Sequence, residues 1–175
     1  FGGGIGIDYN STKKSFNFKK LAADINKFSL KNECKIILEP GRSLIGDTAV
    51  LVSKVIYIKE NIKKDFIILD AGMNDLIRPA LYNAKHMIVP AKKFNQKSKK
   101  EYDFVGPICE TSDRFLKLKK FQKLNEGDVL IIKDVGAYGY VLSSNYNVRP
   151  MPKEILVDRS KIQIISKRQS IKDLI

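Results

Sequence analysis

An α/β segment followed by a mainly-β domain is the architecture this sequence predicts, on three grounds. Residues 1–45 run in the order glycine-rich loop, helix, strand, polar loop, which is a β/α unit with its functional groups at the strand's C-terminal end. From about residue 48 the texture changes to short β-rich runs separated by turn residues, as in a sandwich or barrel. No internal repeat or low-complexity linker interrupts the chain, so the boundary falls near Gly46 and divides it into 1–45 and 46–175.

The opening Gly2-Gly3-Gly4-Ile5-Gly6 can expose successive N–H groups to a phosphate, because no Cβ blocks close approach. It is not the dinucleotide fingerprint, since Ile7 and Tyr9 stand where the last glycine would fall. By itself the loop reads first as a tight turn, and only second as a phosphate cradle. Phe18, Leu21, Ala22, Ile25 and Phe28 recur at helical spacing and predict an amphipathic helix over about 17–30. The apolar run Lys35-Ile36-Ile37-Leu38 predicts a strand ending in Glu39-Pro40-Gly41-Arg42. Beyond the boundary, strands are expected at 50–58, 66–69, 86–89, 102–105, 129–132, 155–157 and 161–165. Turns are expected at Glu60-Asn61, Asn95-Gln96 and Glu126-Gly127-Asp128. Short helices are expected from Gly136 into Tyr138 and Leu142, and at 170–174. Arg78 and Tyr82 share a face if 75–82 is helical, although Pro79 works against a long helix there.

Composition bounds the function. A chain of 175 residues suffices for one domain, or one domain plus part of another. Hydrophobic content of 43% and charged content of 29% describe a globular protein rather than a disordered one. No apolar run approaches the roughly 18 residues of a membrane span, and the glycine-rich start lacks the features of a signal peptide. That start reads as the middle of a protein. The net charge of +13 raises the question of nucleic acid. The lysines, however, are scattered in pairs such as Lys13-Lys14, Lys63-Lys64 and Lys119-Lys120, with no zinc finger, RNP-like motif or basic heptad region beside them. They are read as a solvated surface. Cys34 and Cys109 have no metal-ligand spacing, so no metal is expected and a reducing cytoplasm is. His86, the one histidine, sits in an apolar context and is read as structural.

Five motifs stand in a fixed order: Gly2-Gly3-Gly4-Ile5-Gly6-Ile7, Glu39-Pro40-Gly41-Arg42-Ser43, Asp70-Ala71-Gly72 running on to Arg78-Pro79-Ala80-Leu81-Tyr82, Gly106-Pro107-Ile108-Cys109-Glu110, and Gly136-Ala137-Tyr138-Gly139. Together they resemble the C-terminal half of the diaminopimelate decarboxylases, pyridoxal-phosphate (PLP) enzymes of the ornithine/diaminopimelate/arginine decarboxylase class. The resemblance covers almost the whole chain.

It implies that 1–45 are the last β/α elements of a PLP-binding TIM-type barrel, and that 46–175 form a Greek-key-like β-barrel domain carrying substrate and dimer-interface residues. The PLP-binding lysine of the family would lie upstream of residue 1, so this segment alone is expected to be inactive and to show unpaired edges and exposed apolar surface. Gly3 and Gly4 would hold the PLP phosphate. Glu39 would face the pyridine nitrogen, where a carboxylate keeps the ring protonated. Pro40, Gly41 and Arg42 would lie near phosphate and substrate, and Tyr138 would touch both.

Diaminopimelate carries an amino-acid group at each end. Arg42 and Arg78 can supply bidentate donors to the distal carboxylate, Tyr82 a hydroxyl, and Glu110 an acceptor for the distal ammonium. Ornithine decarboxylases carry Asp where Glu110 stands. The resemblance makes Cys109 the proton donor to the carbon that has lost CO2, reaching the site from the partner subunit of a homodimer. The reaction implied is decarboxylation of meso-2,6-diaminopimelate to L-lysine. Two alternatives stay open: another basic amino acid decarboxylase of the same fold, and a non-catalytic homologue acting by protein binding.

Overall fold

A computed structural model describes residues 1–9, 12, 16–93 and 96–175. The expected turn at Asn95 and the Lys13-Lys14 pair lie outside the described residues. Helix α1 spans Phe18–Lys31, with the Asn17 side chain accepting from the Lys20 amide at 2.9 Å and the Asn32 side chain donating to the Phe28 carbonyl at 2.8 Å. These two caps fix the helix ends where the periodicity placed them. No residue of α1 is buried. Its stripe of Leu21, Ile25 and Phe28 lines an open apolar groove with Phe1, Ile5 and Leu38.

Residues 35–38 are not a strand. Among the described residues their one backbone tie is the Phe1 nitrogen donating to the Ile37 carbonyl at 3.0 Å. A strand is defined by a neighbour's hydrogen bonds, and among the described residues this apolar run has no neighbouring strand. The expected exposed apolar surface is present at Phe18, Phe28, Ile37 and Leu38.

After the one-turn helix α2 (Arg42–Ile45), strands β1 (Leu51–Lys59), β2 (Lys64–Leu69), β3 (Ile88–Pro90), β4 (Glu101–Val105), β5 (Arg114–Leu118) and β6 (Val129–Ile132) build one sheet. Their order is β3-β6-β1-β2-β4-β5. All pairs are antiparallel except β2 with β4, which run parallel with Ile67 opposite Phe104. β1 pairs with β6 along Leu51–Lys54 and with β2 from Val55 onward, with a register shift between Val55 and Tyr57. The sheet ends, β3 and β5, do not pair with each other, so among the described residues it is open rather than a closed barrel.

Alternation puts Ile67, Leu69, Tyr102, Phe104, Leu130 and Ile132 in one core with Val55, Leu76, Ile88 and Phe115. Phe104 packs edge-on against Phe121 at 5.2 Å between centroids. Asp103, facing the other way from Phe104 and fully buried, is paired with Lys64 at 2.8 Å and Arg114 at 2.9 Å from the flanking strands. β5 escapes the sequence reading because Arg114 and Lys117 interrupt its apolar residues.

A second sheet is the hairpin of β7 (Glu154–Asp158) and β8 (Lys161–Ser166), which leaves Ile155, Val157, Ile162 and Ile164 exposed. The helix expected after Gly136 is only a 3-10 turn at Tyr140–Leu142, and 170–174 contains another, Ile171–Leu174, capped by Ser170 and Asp173.

A clasp joins the first motifs to the sheet. The Gly136 amide donates to the Gly46 carbonyl at 3.1 Å, and a Cβ on Gly136 would run into the Ile45 carbonyl. Gly136→Ala is therefore expected to lower stability by about 1–3 kcal/mol through overpacking, read as a lower urea midpoint. An unchanged midpoint would mean that the clasp yields at no cost.

Candidate functional site

The glycine loop packs against the segment that ends in Glu39. A Cβ on Gly3 would come within 2.8 Å of the Glu39 carbonyl, whereas Gly2, Gly4 and Gly6 face open space. Gly4 has φ +96°, a conformation that favours glycine. The loop is thus pinned on one side and bare on the other. Glu39, Pro40 and Gly41 are exposed beside it.

Arg42 opens α2 and turns its guanidinium toward two aromatic rings, 5.5 Å from the centroid of Tyr138 and 6.0 Å from that of Tyr9. Its Nε is buried and, among the described residues, has no hydrogen-bond partner. An unmet buried donor is costly, so this one points to a missing acceptor. Tyr138 arrives from the Gly136 clasp, and its hydroxyl lies 3.6 Å from where a Cβ of Gly41 would stand. Its φ of 59° is in the left-handed region, an unusual conformation for tyrosine. Tyr138 is half exposed, so it is not the buried aromatic that a purely structural role would produce.

Arg78 opens the short helix α3 (Arg78–Tyr82), where Pro79 is tolerated because the first turn needs no amide donor. Arg78 is buried, and its Nη1 donates to the Tyr9 hydroxyl at 2.9 Å and lies 3.1 Å from His86 Nε2. The guanidinium sits 5.3 Å from the Tyr9 centroid. Tyr9 therefore contacts both arginines, which lie 36 residues apart in the chain (78 minus 42). Tyr82, four residues after Arg78, is exposed.

Cys109 and Glu110 lie elsewhere. Both are exposed on the tight loop between β4 and β5. Asp113 organises that loop: its buried carboxylate accepts from the amides of Met73 and Ile108, each at 2.7 Å, and fills the space a Gly106 side chain would need. Burial pushes the Asp113 pKa up, against the two amide bonds that pull it down. Among the described residues, no hydrogen bond or ion pair joins Cys109 or Glu110 to Arg42, Arg78 or Tyr138. Tyr9, His86 and Asp113 are functional candidates that the sequence reading passed over. The signal available for Tyr9 was its place directly after the glycine loop.

Residues 20–136 match the family model described as the C-terminal sheet domain of the pyridoxal-dependent decarboxylases. The chain belongs to that family. It is 44% identical to the diaminopimelate decarboxylase of Aquifex aeolicus over 97% of its own length and 40% of that relative's. A crystal structure from Aquifex aeolicus is similar with a TM-score of 0.92 at 40% identity, covering 99% of this chain and 43% of the other. Helicobacter pylori diaminopimelate decarboxylase, solved in complex with L-lysine, is similar with a TM-score of 0.89 at 40% identity, covering 99% and 42%. The chain thus spans about two-fifths of the length of these relatives.

The residues present fit the cofactor of a pyridoxal-dependent decarboxylase. The open glycine backbone and the unmet Arg42 Nε offer donors to a phosphate, and Glu39 ends the segment that the glycine loop rests on. Among the described residues, no group of three or more His, Cys, Asp or Glu side chains is placed to hold a metal, and no helix is long and apolar enough to cross a membrane.

Proposed function

We propose that this chain is the portion of a PLP-dependent meso-2,6-diaminopimelate decarboxylase that holds the cofactor phosphate and the far end of the substrate. Residues 1–45 are the last β/α elements of a TIM-type barrel, and 46–175 are a Greek-key-like β domain. When bound, PLP supplies the electron sink that amino-acid decarboxylation requires.

The protein does the rest. Gly3, Gly4 and Arg42 bind the phosphate, with Pro40 and Gly41 shaping the turn beside it. Glu39 keeps a proton on the ring nitrogen, and Tyr138 lies against both cofactor and substrate. Arg42, Arg78 and Tyr82 bind the distal carboxylate, and Glu110 accepts from the distal ammonium. Cys109 gives its proton to the carbon that has lost CO2. Cys109 and Glu110, which among the described residues make no hydrogen bond or ion pair to the arginine cluster of their own chain, serve the site of a partner subunit in a cytoplasmic homodimer. The exposed apolar face of the β7–β8 hairpin is suited to such an interface.

The observation that carries this reading is the gathering of Arg42 and Arg78 on the single ring of Tyr9. Two guanidiniums at one point suit the phosphate and a second substrate carboxylate, whereas a substrate ending in an ammonium alone has no use for the second arginine. With PLP, the complete enzyme is expected to release CO2 from meso-diaminopimelate with a kcat/KM at least about 100-fold above that for ornithine or arginine. Equal or greater turnover of ornithine would assign the site to a different basic amino acid.

A further inference from the structure

The turn after α3 places a histidine against the distal-carboxylate arginine. Asn83 ends α3 in the left-handed region, with φ 51°, and its amide donates to the Arg78 carbonyl. This tight reversal returns the chain so that His86, eight residues on, meets the Arg78 side chain. His86 is almost fully buried at 1% exposure, and its ring makes a T-shaped pair with Tyr9 at 5.4 Å and 79°.

Donor counting determines its state. Arg78 has no acceptor atom, so the Nε2 that lies 3.1 Å from Nη1 presents a lone pair. Nδ1 lies 3.0 Å from the Lys133 carbonyl, which accepts only, so Nδ1 carries the hydrogen. Both contacts demand the same neutral tautomer. The groups facing His86 are the Arg78 guanidinium, the Tyr9 ring, the Lys133 backbone and the Asp134 carboxylate. Burial lowers the His86 pKa below its ordinary value; the Lys133 hydrogen bond opposes this, Arg78 adds to it, and Asp134 opposes it.

Tyr9 and His86 together take both hydrogens of Arg78 Nη1. Among the described residues Nε and Nη2 make no hydrogen bond, so one edge of the guanidinium is left with donors for a carboxylate.

We infer that His86 is a positioning residue: as a neutral imidazole it fixes the Arg78 guanidinium so that its unpaired edge receives the second carboxylate of the substrate. The inference rests on the function proposed above. Protonation of His86 sets an N–H against an N–H, releases the guanidinium and weakens binding of a dicarboxylic substrate. The sign follows: binding is full above the His86 pKa and falls as the pH drops through it, from below about 6.5 downward.

The test compares meso-diaminopimelate with ornithine, as substrates or competitive inhibitors, in the complete PLP-loaded enzyme across pH 5–8. His86→Leu removes the acceptor at similar size, and His86→Gln supplies a carbonyl acceptor that does not titrate. His86→Leu is expected to raise KM for diaminopimelate about 10–100-fold while kcat, PLP absorbance and ornithine affinity stay within about threefold. His86→Gln should recover most of that affinity and lose the acid limb of kcat/KM. If His86→Leu does not fold, the His86→Gln profile decides. An unchanged acid limb in His86→Gln, or equal losses for both ligands in His86→Leu, overturns the inference. Arg78→Ala separates the two levels. If it abolishes discrimination while His86→Leu preserves it, the positioning role alone is wrong. If Arg78→Ala itself leaves discrimination intact, the substrate assignment fails and takes this inference with it.

Discussion

Cys109→Ala in the complete enzyme is expected to lower kcat by about 10²–10⁴-fold, the range spanned by a positioned proton donor. KM for meso-diaminopimelate should change little, because the thiol's proposed task lies at the carbon losing CO2 and not at the groups that bind the substrate. The structural premise is specific. Cys109 is exposed at the tip of a loop whose shape is enforced from beneath by Asp113, through two amide bonds of 2.7 Å to Met73 and Ile108. Cys109 is exposed and, among the described residues, makes no hydrogen bond, so its removal costs the fold little. Steady-state kinetics with a check of the oligomeric mass separates the roles: an unchanged kcat would remove Cys109 from the mechanism, and a loss of the proposed dimer relative to wild type would make its role one of assembly. Cys109→Ser, which keeps a hydroxyl of higher pKa, should fall between the two.

Glu110→Asp combined with Arg78→Ala should shift specificity rather than destroy catalysis. Arg78 is buried and held at Nη1, so if it takes the proposed distal carboxylate its loss removes a charge-assisted bidentate contact worth about 2–5 kcal/mol. Shortening Glu110 withdraws the acceptor for the distal ammonium and adds to the loss. Ornithine has no distal carboxylate and should lose much less. The ratio of kcat/KM for the two substrates is the measurement. A uniform decline would mean that these residues serve folding or cofactor binding, and that the far end of the substrate lies elsewhere.

The candidate site residues were legible as candidates because they sit in short local motifs. The glycine loop, Glu39 to Arg42, the Arg78–Tyr82 turn and Cys109-Glu110 are each contiguous; the Arg78–Tyr82 turn is helical as its spacing allowed, whereas Glu39 to Arg42 follow an unpaired segment and not the expected strand. Their support was not legible. His86 read as a structural histidine, and it is indeed buried, yet what it supports is Arg78. Tyr9 was noticed only for not being glycine. Asp113, three residues beyond Glu110, carried no local signal of its role. In each case the partner is defined by space: Tyr9 and Arg78 are 69 residues apart, and Asp113 and Met73 are 40.

The same division holds for the fold. Periodicity and caps alone define α1, and β-rich runs between turn residues define β1, β2, β4 and β6, because alternation and turn chemistry are properties of neighbouring residues. The tertiary structure decided what each run pairs with. The parallel register of β2 on β4 and the recruitment of the lysine-bearing β5 depend on backbone hydrogen bonds between distant segments, which no local pattern encodes. The clearest case is 35–38, an apolar run with every local mark of a strand. It remains unpaired among the described residues, since strand structure needs a neighbour and a segment's own composition cannot supply one.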